Sequence, residues 1–297
     1  MKSYFGKVQS TMENQSGTEK KFIDIEEVIR SKNPALLNWI PRIALSYIKR
    51  ILHQEHVNDF IRRHGDKTSF AFVDEIIKEF GAAVSFEGLE HLPQSGGCIV
   101  AANHPIGGLD AMALIQVVAN RRTDQQFIVN DVLLNITNLQ DLFIGVNKHG
   151  KNPTEALERL DMAYAGSGAV LIFPAGLVSR KQKSGIRDLT WKKSFITKAR
   201  KFRRDIIPVH ISGRNSDFFY NLARWRSRLG IQANIEMFYL MDEMYHQMGK
   251  NIHLHFGEPI PYSVFTADKK DHEWAEALKD HVYRLAEGPA RFQPSSR

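Results

Sequence analysis

The order of apolar and polar positions divides the chain into a helical first part and a second part of alternating strands and helices. Between residues 22 and 81, apolar residues recur at intervals of three and four, the period of a helix with one buried face. From residue 82 onwards, short apolar runs alternate with helix-period segments, as in strand–helix units. The pattern predicts an α/β fold, with a sheet covered by helices on both faces and an N-terminal helical region.

Three segments follow from this pattern. Residues 1–20 are rich in polar residues and are predicted to form a disordered arm. Residues 21–81 form the N-terminal helical region, and residues 82–297 the α/β domain. The helices of the first region are predicted over 22–30, 34–64 with a break or kink at Pro41, and 66–80. Because Trp39 and basic residues flank apolar faces here, this region either packs on the main domain or lies in a membrane interface.

Within residues 82–297, every predicted strand is followed by a polar turn or a helix. Strands are predicted at 83–86, 98–102, 126–130, 142–147, 169–173, 206–211 and 252–256. Helices are predicted at 109–120, 153–165, 188–202, 217–229 and 271–287. Because ligand clefts in such sheets form beyond the carboxyl ends of the strands, residues that directly follow a strand are candidates for chemistry.

Composition excludes several classes of protein. Hydrophobic residues make up 43% of the chain and charged residues 25%, as in an ordinary globular protein. The chain has one cysteine, Cys98, which lies in an apolar run, so no disulfide framework is expected. The expected location is therefore reducing and cytosolic. The sequence shows no signal peptide and no apolar window long enough to span a bilayer.

The formal net charge of +7 is concentrated between Lys181 and Arg228. There, aromatic and aliphatic residues alternate with Lys and Arg, in segments 188–202 and 222–229. Such a surface suits an anionic membrane, the acidic face of a carrier protein, or nucleic acid. Since no nucleic-acid-binding module accompanies it, we expect a membrane or a carrier protein and no nucleic acid. A solvated basic face without a partner is the alternative.

Segment 99–110 carries the clearest chemical signal. An apolar run ends at His104, a Pro-Ile-Gly-Gly turn follows, and Asp110 opens an apolar helix. A histidine that a carboxylate holds in one tautomer and orientation can remove a proton from an alcohol or amine. Backbone N–H groups at Gly107 and Gly108 are placed to face an anion. The alternative is a structural histidine in a turn.

Four short blocks occur in order along the α/β domain: Asn103-His104 with Asp110, Gly145-Val146-Asn147-Lys148, Phe173-Pro174-Ala175-Gly176, and Ile206-Ile207-Pro208-Val209. Together they resemble the glycerolipid acyltransferase family, the lysophosphatidic acid acyltransferase-like or PlsC-type group. For the fold, this resemblance implies a central mixed sheet flanked by helices. The resemblance implies transfer of a fatty acyl group from acyl carrier protein or acyl-CoA, as co-substrate, to a hydroxyl of a lysolipid. It implies no bound cofactor, and a peripheral location on the cytoplasmic face of the inner membrane.

The resemblance also implies residue roles. His104 would be the general base and Asp110 the residue that orients it, without a covalent acyl-enzyme, and the sequence lacks the Gly-x-Ser-x-Gly elbow of a nucleophilic serine. Substrate-binding roles are implied for Asn103, Gly107, Gly108, Lys148, Pro174, Gly176 and Arg180. Among these, backbone amides at the glycines would stabilise the oxyanion, and Lys148 and Arg180 would hold anionic groups.

Two departures from the family pattern mark a divergent member. Five residues separate His104 from Asp110 where the family has four, and Ala175 stands where the family usually has glutamate. Arg180 lies two residues later than the family's arginine. The variant resembles the hemolysin-like and aminolipid O-acyltransferase subgroup, so a lysophospholipid or a lyso-aminolipid is the expected acceptor.

The alternative to an enzyme is a non-catalytic protein. A non-catalytic lipid- or nucleic-acid-binding protein that retained the fold would show the same blocks. His253 and His255, two residues apart on a predicted strand, have a spacing that suits a metal, but no carboxylate or cysteine pattern accompanies them. We therefore expect no metal site.

Overall fold

The computed structural model describes residues 22–32, 39–146 and 154–293. The predicted arm, 1–20, and Lys148 of the second block lie outside the described residues. Two compact units divide between Arg63 and His64.

The first unit is helical. It contains α1 (Ile25–Lys32), α2 (Arg42–Ile51) and α3 (Gln54–His64), the last ending one residue beyond the unit boundary. The predicted helix 34–64 is divided where His53 adopts a φ of +49°, so α2 and α3 are separate helices. Side chains of α3 hold the start of α1: the Ile25 N–H donates to Gln54 Oε1 at 2.9 Å.

The second unit is built on a mixed seven-stranded sheet with strand order β1-β9-β8-β2-β5-β3-β4. Its strands are β1 (Ala83–Glu87), β2 (Cys98–Ala102), β3 (Gln125–Asn130), β4 (Phe143–Val146), β5 (Ala169–Ile172), β8 (Asp205–Ile211) and β9 (Asn251–Phe256). A separate hairpin consists of β6 (Arg180–Gln182) and β7 (Gly185–Arg187). Only the β8–β9 pair of the main sheet is antiparallel. The predicted α/β class with a mixed central sheet is confirmed.

Helices flank this sheet. They are α4 (Ser69–Glu79), α5 (Gly108–Ala119), α6 (Thr154–Ala165), α7 (Ser194–Phe202), α8 (Asp217–Arg228), α9 (Leu240–Tyr245) and α10 (Asp271–Arg284). Short 3-10 helices lie at Leu89–His91, Asp131–Asn135, Thr137–Leu142, Ile235–Tyr239, Tyr262–Val264 and Leu285–Glu287. One core cluster is formed by Trp191, Phe195, Trp274 and Leu278 together with Ile99 of β2. None of the described helices is long and apolar enough to cross a membrane.

The strand order determines which sequence blocks meet. β2 lies between β8 and β5 and is parallel to both, so the segments that follow these three strands meet at one edge of the sheet. β4 is three strands away from β2 in the sheet order. At the usual spacing between strands, that is about 14 Å. The first, third and fourth blocks therefore converge directly, whereas the described part of the second block, Gly145 and Val146, lies on β4, beyond β5 and β3.

One predicted helix begins later than the pattern indicates. The basic segment 188–202 was expected to be helical throughout, but α7 begins only at Ser194. The β6–β7 hairpin precedes it, and Asp188 lies in the connection, where tertiary hydrogen bonds hold its carboxylate. The prediction is wrong at this end because a helix-period pattern does not reveal a polar residue that is needed elsewhere in the fold.

Candidate active site

His104 and Asp110 form a hydrogen-bonded pair at the carboxyl end of β2. His104 Nδ1 lies 2.9 Å from Asp110 Oδ2, and the N–H groups of Ile106 and Gly107 each donate to the same oxygen at 2.9 Å. Gly107 has a φ of +109°, in the left-handed region that favours glycine. The turn therefore takes up the fifth intervening residue and still brings the carboxylate back to the imidazole.

Burial determines the electrostatics of this pair. Asp110 is fully buried, and this burial raises the pKa of its carboxyl group, while the hydrogen bonds from His104 and the two amides oppose the rise. The His104 side chain keeps 17% of its surface exposed. Because Nδ1 faces Asp110, Nε2 is the ring nitrogen that remains for a substrate.

Phe173, the first residue of the third block, fixes the plane of the imidazole. Its ring stacks on His104, with centroids 4.2 Å apart and an interplanar angle of 16°. Phe127 on β3 supports it from the side in an edge contact at 4.9 Å. No role for Phe173 follows from the sequence, because its contact with His104 exists only once β5 lies beside β2.

The backbone of His104 is held on both sides by a buried hydrogen-bond network around Asp188. The His104 N–H donates to Asp188 Oδ1 at 3.2 Å, and the His104 carbonyl accepts from the Ser179 N–H at 2.7 Å. Asp188 also accepts from the Ser179 hydroxyl at 2.6 Å and from Trp191 Nε1–H at 2.9 Å. Tyr283 on α10 accepts from the Asp188 N–H at 2.7 Å. Sequence reasoning missed this network, and the one available signal was an isolated acidic residue in a basic segment.

The side-chain amide of Asn103 is hydrogen-bonded within the protein. Its amide donates to the Ile211 carbonyl at 2.9 Å and accepts from the Ile211 N–H at 2.6 Å. Asn103 is buried, so the pair ties the end of β2 to the end of β8. The structure therefore places this residue beside His104, with its amide group occupied by the β8 backbone.

Arg180, at the start of β6, lies in a buried ion pair. Its guanidinium is 2.9 Å from Glu236, which is fully buried and also pairs with Arg226 at 2.9 Å. The guanidinium carbon lies 4.9 Å from the centroid of the Phe219 ring. Burial lowers the pKa of Arg180, and Glu236 opposes that change. Two arginines share one carboxylate, so the group keeps a net positive charge.

Lys192 lies against Pro174 and Gly176 of the third block. The Pro174 carbonyl accepts from the Lys192 N–H at 3.0 Å, and a Cβ built on Gly176 would lie 3.2 Å from Lys192 Nζ. Gly176 has a φ of +65°, so both its conformation and this contact favour glycine. In the part of the chain that the structure describes, Lys192 forms no ion pair with a carboxylate. Lys192 is thus a further candidate for binding an anionic group.

The two glycines of the turn lie under α9, and the amide of Gly107 is already hydrogen-bonded. The Gly107 N–H is donated to Asp110, so it is not available to an oxyanion. Side chains of α9 cover both residues: a Cβ on Gly107 would lie 3.0 Å from Leu240, and one on Gly108 would lie 3.0 Å from the sulfur of Met244.

The remaining candidate groups have local partners. His253 and His255 both contact Glu87, at 3.3 and 2.8 Å. No group of three or more His, Cys, Asp or Glu side chains within the described ranges is arranged to hold a metal ion. On α7, Lys198 and Lys201 both pair with Asp161. Arg200 pairs with Asp271, so three of the basic residues on this helix have carboxylate partners on neighbouring helices.

The fold and this site together define an α/β protein with a histidine–carboxylate pair at the carboxyl end of a central strand. A family model described as "Acyltransferase" matches residues 27–288. The chain belongs to this acyltransferase family, which confirms both the resemblance read from the sequence blocks and the prediction that the protein is an enzyme.

Two relatives match nearly the whole chain. The lyso-glycine lipid O-acyltransferase of Bacteroides thetaiotaomicron is 40% identical over 264 residues, covering 89% of this chain and 97% of the relative. The lyso-glycine lipid O-acyltransferase of Phocaeicola vulgatus is also 40% identical over 264 residues, covering 89% and 95%. Among solved structures, the 1-acyl-sn-glycerophosphate (LPA) acyltransferase, PlsC, from Thermotoga maritima aligns with a TM-score of 0.44 and 17% identity, covering 84% of this chain and 99% of that one. The non-catalytic alternative is not favoured by the family match and the two relatives.

Proposed function

We propose that this enzyme transfers a fatty acyl group from a thioester donor to the hydroxyl group of a lyso-glycine lipid. The observation that carries the proposal is the 40% identity to two lyso-glycine lipid O-acyltransferases along nearly their entire length. The pairing of His104 with Asp110 supplies the chemistry that such a transfer needs. The product is an aminolipid that carries one more acyl chain.

In the proposed mechanism, Nε2 of His104 accepts the proton of the acceptor hydroxyl as its oxygen attacks the thioester carbonyl carbon. The new C–O bond forms and the carbonyl oxygen becomes an oxyanion, which requires hydrogen-bond donors placed in advance. The C–S bond then breaks, and His104 returns the proton to the departing thiolate. Asp110 holds the imidazole in the tautomer that leaves Nε2 free and stabilises the imidazolium between the two steps.

The acceptor's charge fits this site. A glycine that is joined to a lipid through its amine keeps a free carboxylate, so the acceptor is anionic. Lys192, which lies against Gly176 in the block that also stacks on His104, is the cation proposed to bind that carboxylate. Ala175 removes the negative charge that the family's usual glutamate would place beside it.

The donor and location follow the family resemblance. Acyl carrier protein and acyl-CoA both present the acyl group as a thioester, and either supplies the leaving thiol that the mechanism uses. The enzyme is proposed to work as a peripheral protein on the cytoplasmic face of the inner membrane, where a lysolipid acceptor is available.

The test offers purified enzyme an acyl thioester with lyso-glycine lipid, lysophosphatidic acid or a lyso-aminolipid of a different head group, and detects products by mass spectrometry. We expect acylation of lyso-glycine lipid, and loss of that activity in His104→Ala with circular dichroism unchanged. His272→Ala, an exposed histidine on α10, is the control and should retain activity. Turnover of lysophosphatidic acid alone would refute the proposed acceptor.

The same experiment also tests whether Lys192 binds the carboxylate of the acceptor. Lys192→Met should raise the KM for lyso-glycine lipid roughly tenfold and leave the KM for its neutral methyl ester unchanged, because only the free acid pairs with the ammonium. An increase in the KM of the donor instead would assign Lys192 to the anionic groups of the donor.

A further inference from the structure

Helix α8 exposes an apolar stripe along one face. Phe218, Trp225 and Leu229, the residue that caps α8, are 54%, 67% and 72% exposed. They are spaced seven and four residues apart, so they project from the same side of the helix. Phe238, in the 3-10 helix that follows, is also exposed, and Tyr239 beside it contacts the Phe218 ring at a centroid distance of 5.0 Å. Large apolar side chains grouped in this way mark an interaction surface.

Cations border the stripe on the same helix. Arg224 and Arg228 are exposed, and no carboxylate within the described ranges forms an ion pair with either. Arg226, between them in the sequence, instead points inward to Glu236. Aromatic and aliphatic side chains next to unpaired arginines match an anionic bilayer surface, where apolar groups enter the acyl boundary and guanidinium groups meet lipid head groups.

The inner side of α8 connects this surface to the site. Phe219 lies beneath the Arg180 guanidinium, and Arg226 shares Glu236 with Arg180. Arg180 adjoins Ser179, whose N–H donates to the His104 carbonyl. Helix α8 therefore carries the exposed stripe on one side and on another side contacts Arg180, the neighbour of the residue that holds the His104 backbone.

We propose that the outward face of α8, defined by Phe218, Trp225 and Leu229 with Arg224 and Arg228, docks the enzyme on an anionic lipid bilayer. The proposal deepens the proposed function, because a lysolipid acceptor resides in such a bilayer. It assigns the contact to α8 and not to α7, whose lysines pair with Asp161. Charge complementarity and the lipid acceptor favour a bilayer over a second copy of this chain.

The first test is co-sedimentation of the full chain with vesicles of phosphatidylcholine alone or mixed with phosphatidylglycerol. The double variant Trp225→Ser/Leu229→Ser should bind anionic vesicles at least ~10-fold more weakly, because it removes two large apolar groups from the contact. Arg224→Gln/Arg228→Gln should lose a similar factor on anionic vesicles and little on neutral ones. Met162→Ser, a 65% exposed apolar residue on α6, is the matched control and should bind like the wild type.

The second measurement follows Trp225 directly. Trp191 and Trp274 are buried, so in a Trp39→Phe background an exposed tryptophan signal comes from Trp225. We expect its emission to shift to shorter wavelength on anionic vesicles and to be quenched by brominated acyl chains. Equal binding by the wild type and both double variants, or an unchanged Trp225 signal, would overturn the proposal. So would a dimer that Trp225→Ser/Leu229→Ser abolishes without any change in vesicle binding.

Activity separates this proposal from the proposed function. The docking variants should acylate a detergent-dispersed acceptor at the wild-type rate and a vesicle-embedded acceptor more slowly. If the wild type binds vesicles through α8 but does not acylate lyso-glycine lipid, the proposed acceptor is wrong and the docking surface stands.

Discussion

At the scale of single residues, the site depends on one oxygen atom. Asp110 Oδ2 takes the hydrogen bonds of the imidazole and of two backbone amides, so the same atom shapes the turn and orients the ring. Both residues of this pair could be predicted from the sequence, because they lie six positions apart in one motif. It left their geometry open, since the number of intervening residues differs from the family pattern.

Replacing this carboxylate tests the orienting role. Asp110→Asn should lower kcat/KM roughly 10³-fold, because the neutral amide stabilises the wrong imidazole tautomer and no longer supports the imidazolium. The measurement is steady-state acyl transfer, with thermal unfolding to show that the variant is folded. A folded variant within threefold of wild-type activity would contradict the assignment of Asp110.

At the scale of elements, the connection between β7 and α7 is the part that sequence reasoning misjudged. The helix period continued back to Asp188, yet that residue is held outside the helix by Ser179, Trp191 and the backbone of His104. Of these partners, His104 lies 84 positions away in the chain, and a contact at that distance leaves no periodic trace. Helical periodicity describes which side of a segment is apolar, and it cannot show which residue a neighbouring strand will recruit.

Asp188 is predicted to act through the position of His104 and not through contact with the substrate. Asp188→Asn should lower kcat about 10- to 100-fold with little change in KM, because the loop that carries the base loses its charged acceptor. Loss of these hydrogen bonds should also cost about 2 kcal/mol of unfolding free energy.

A structural role alone predicts a different result for Asp188→Asn. In that case, activity per folded molecule would stay at the wild-type level and only the denaturation midpoint would fall. Activity and unfolding measured on the same preparation, together with the pH profile of kcat, distinguish the two.

At the scale of the whole molecule, two histidines on different elements, His281 buried and His210 half-buried, link stability to pH. Burial lowers the pKa of His210 and of His281 to about 4, well below the ordinary value of 6.5. The unfolded chain therefore takes up protons as the pH falls below about 6.5, while the folded chain does so only near pH 4. The free energy of unfolding should decrease across this window as the pH falls.

His281→Leu should make this decrease smaller, by about 2 kcal/mol between pH 7.5 and pH 5. Neither ring nitrogen of His281 has a hydrogen-bond partner within the described residues, so leucine removes no such bond there. Urea denaturation at the two pH values measures the change, and His272→Leu, exposed on the same helix, serves as control. An unchanged pH dependence in His281→Leu would contradict the assignment.

Local periodicity and one short motif were enough to predict the class of fold, the position of most strands and the pairing of His104 with Asp110. Which other groups surround this pair depends on the folded chain. Phe173, Asp188 and Lys192 join His104 or its neighbours only because β5 lies beside β2 and the hairpin returns across their ends. Strand order and long-range hydrogen bonds are properties of the folded chain, and no pattern along the sequence specifies them.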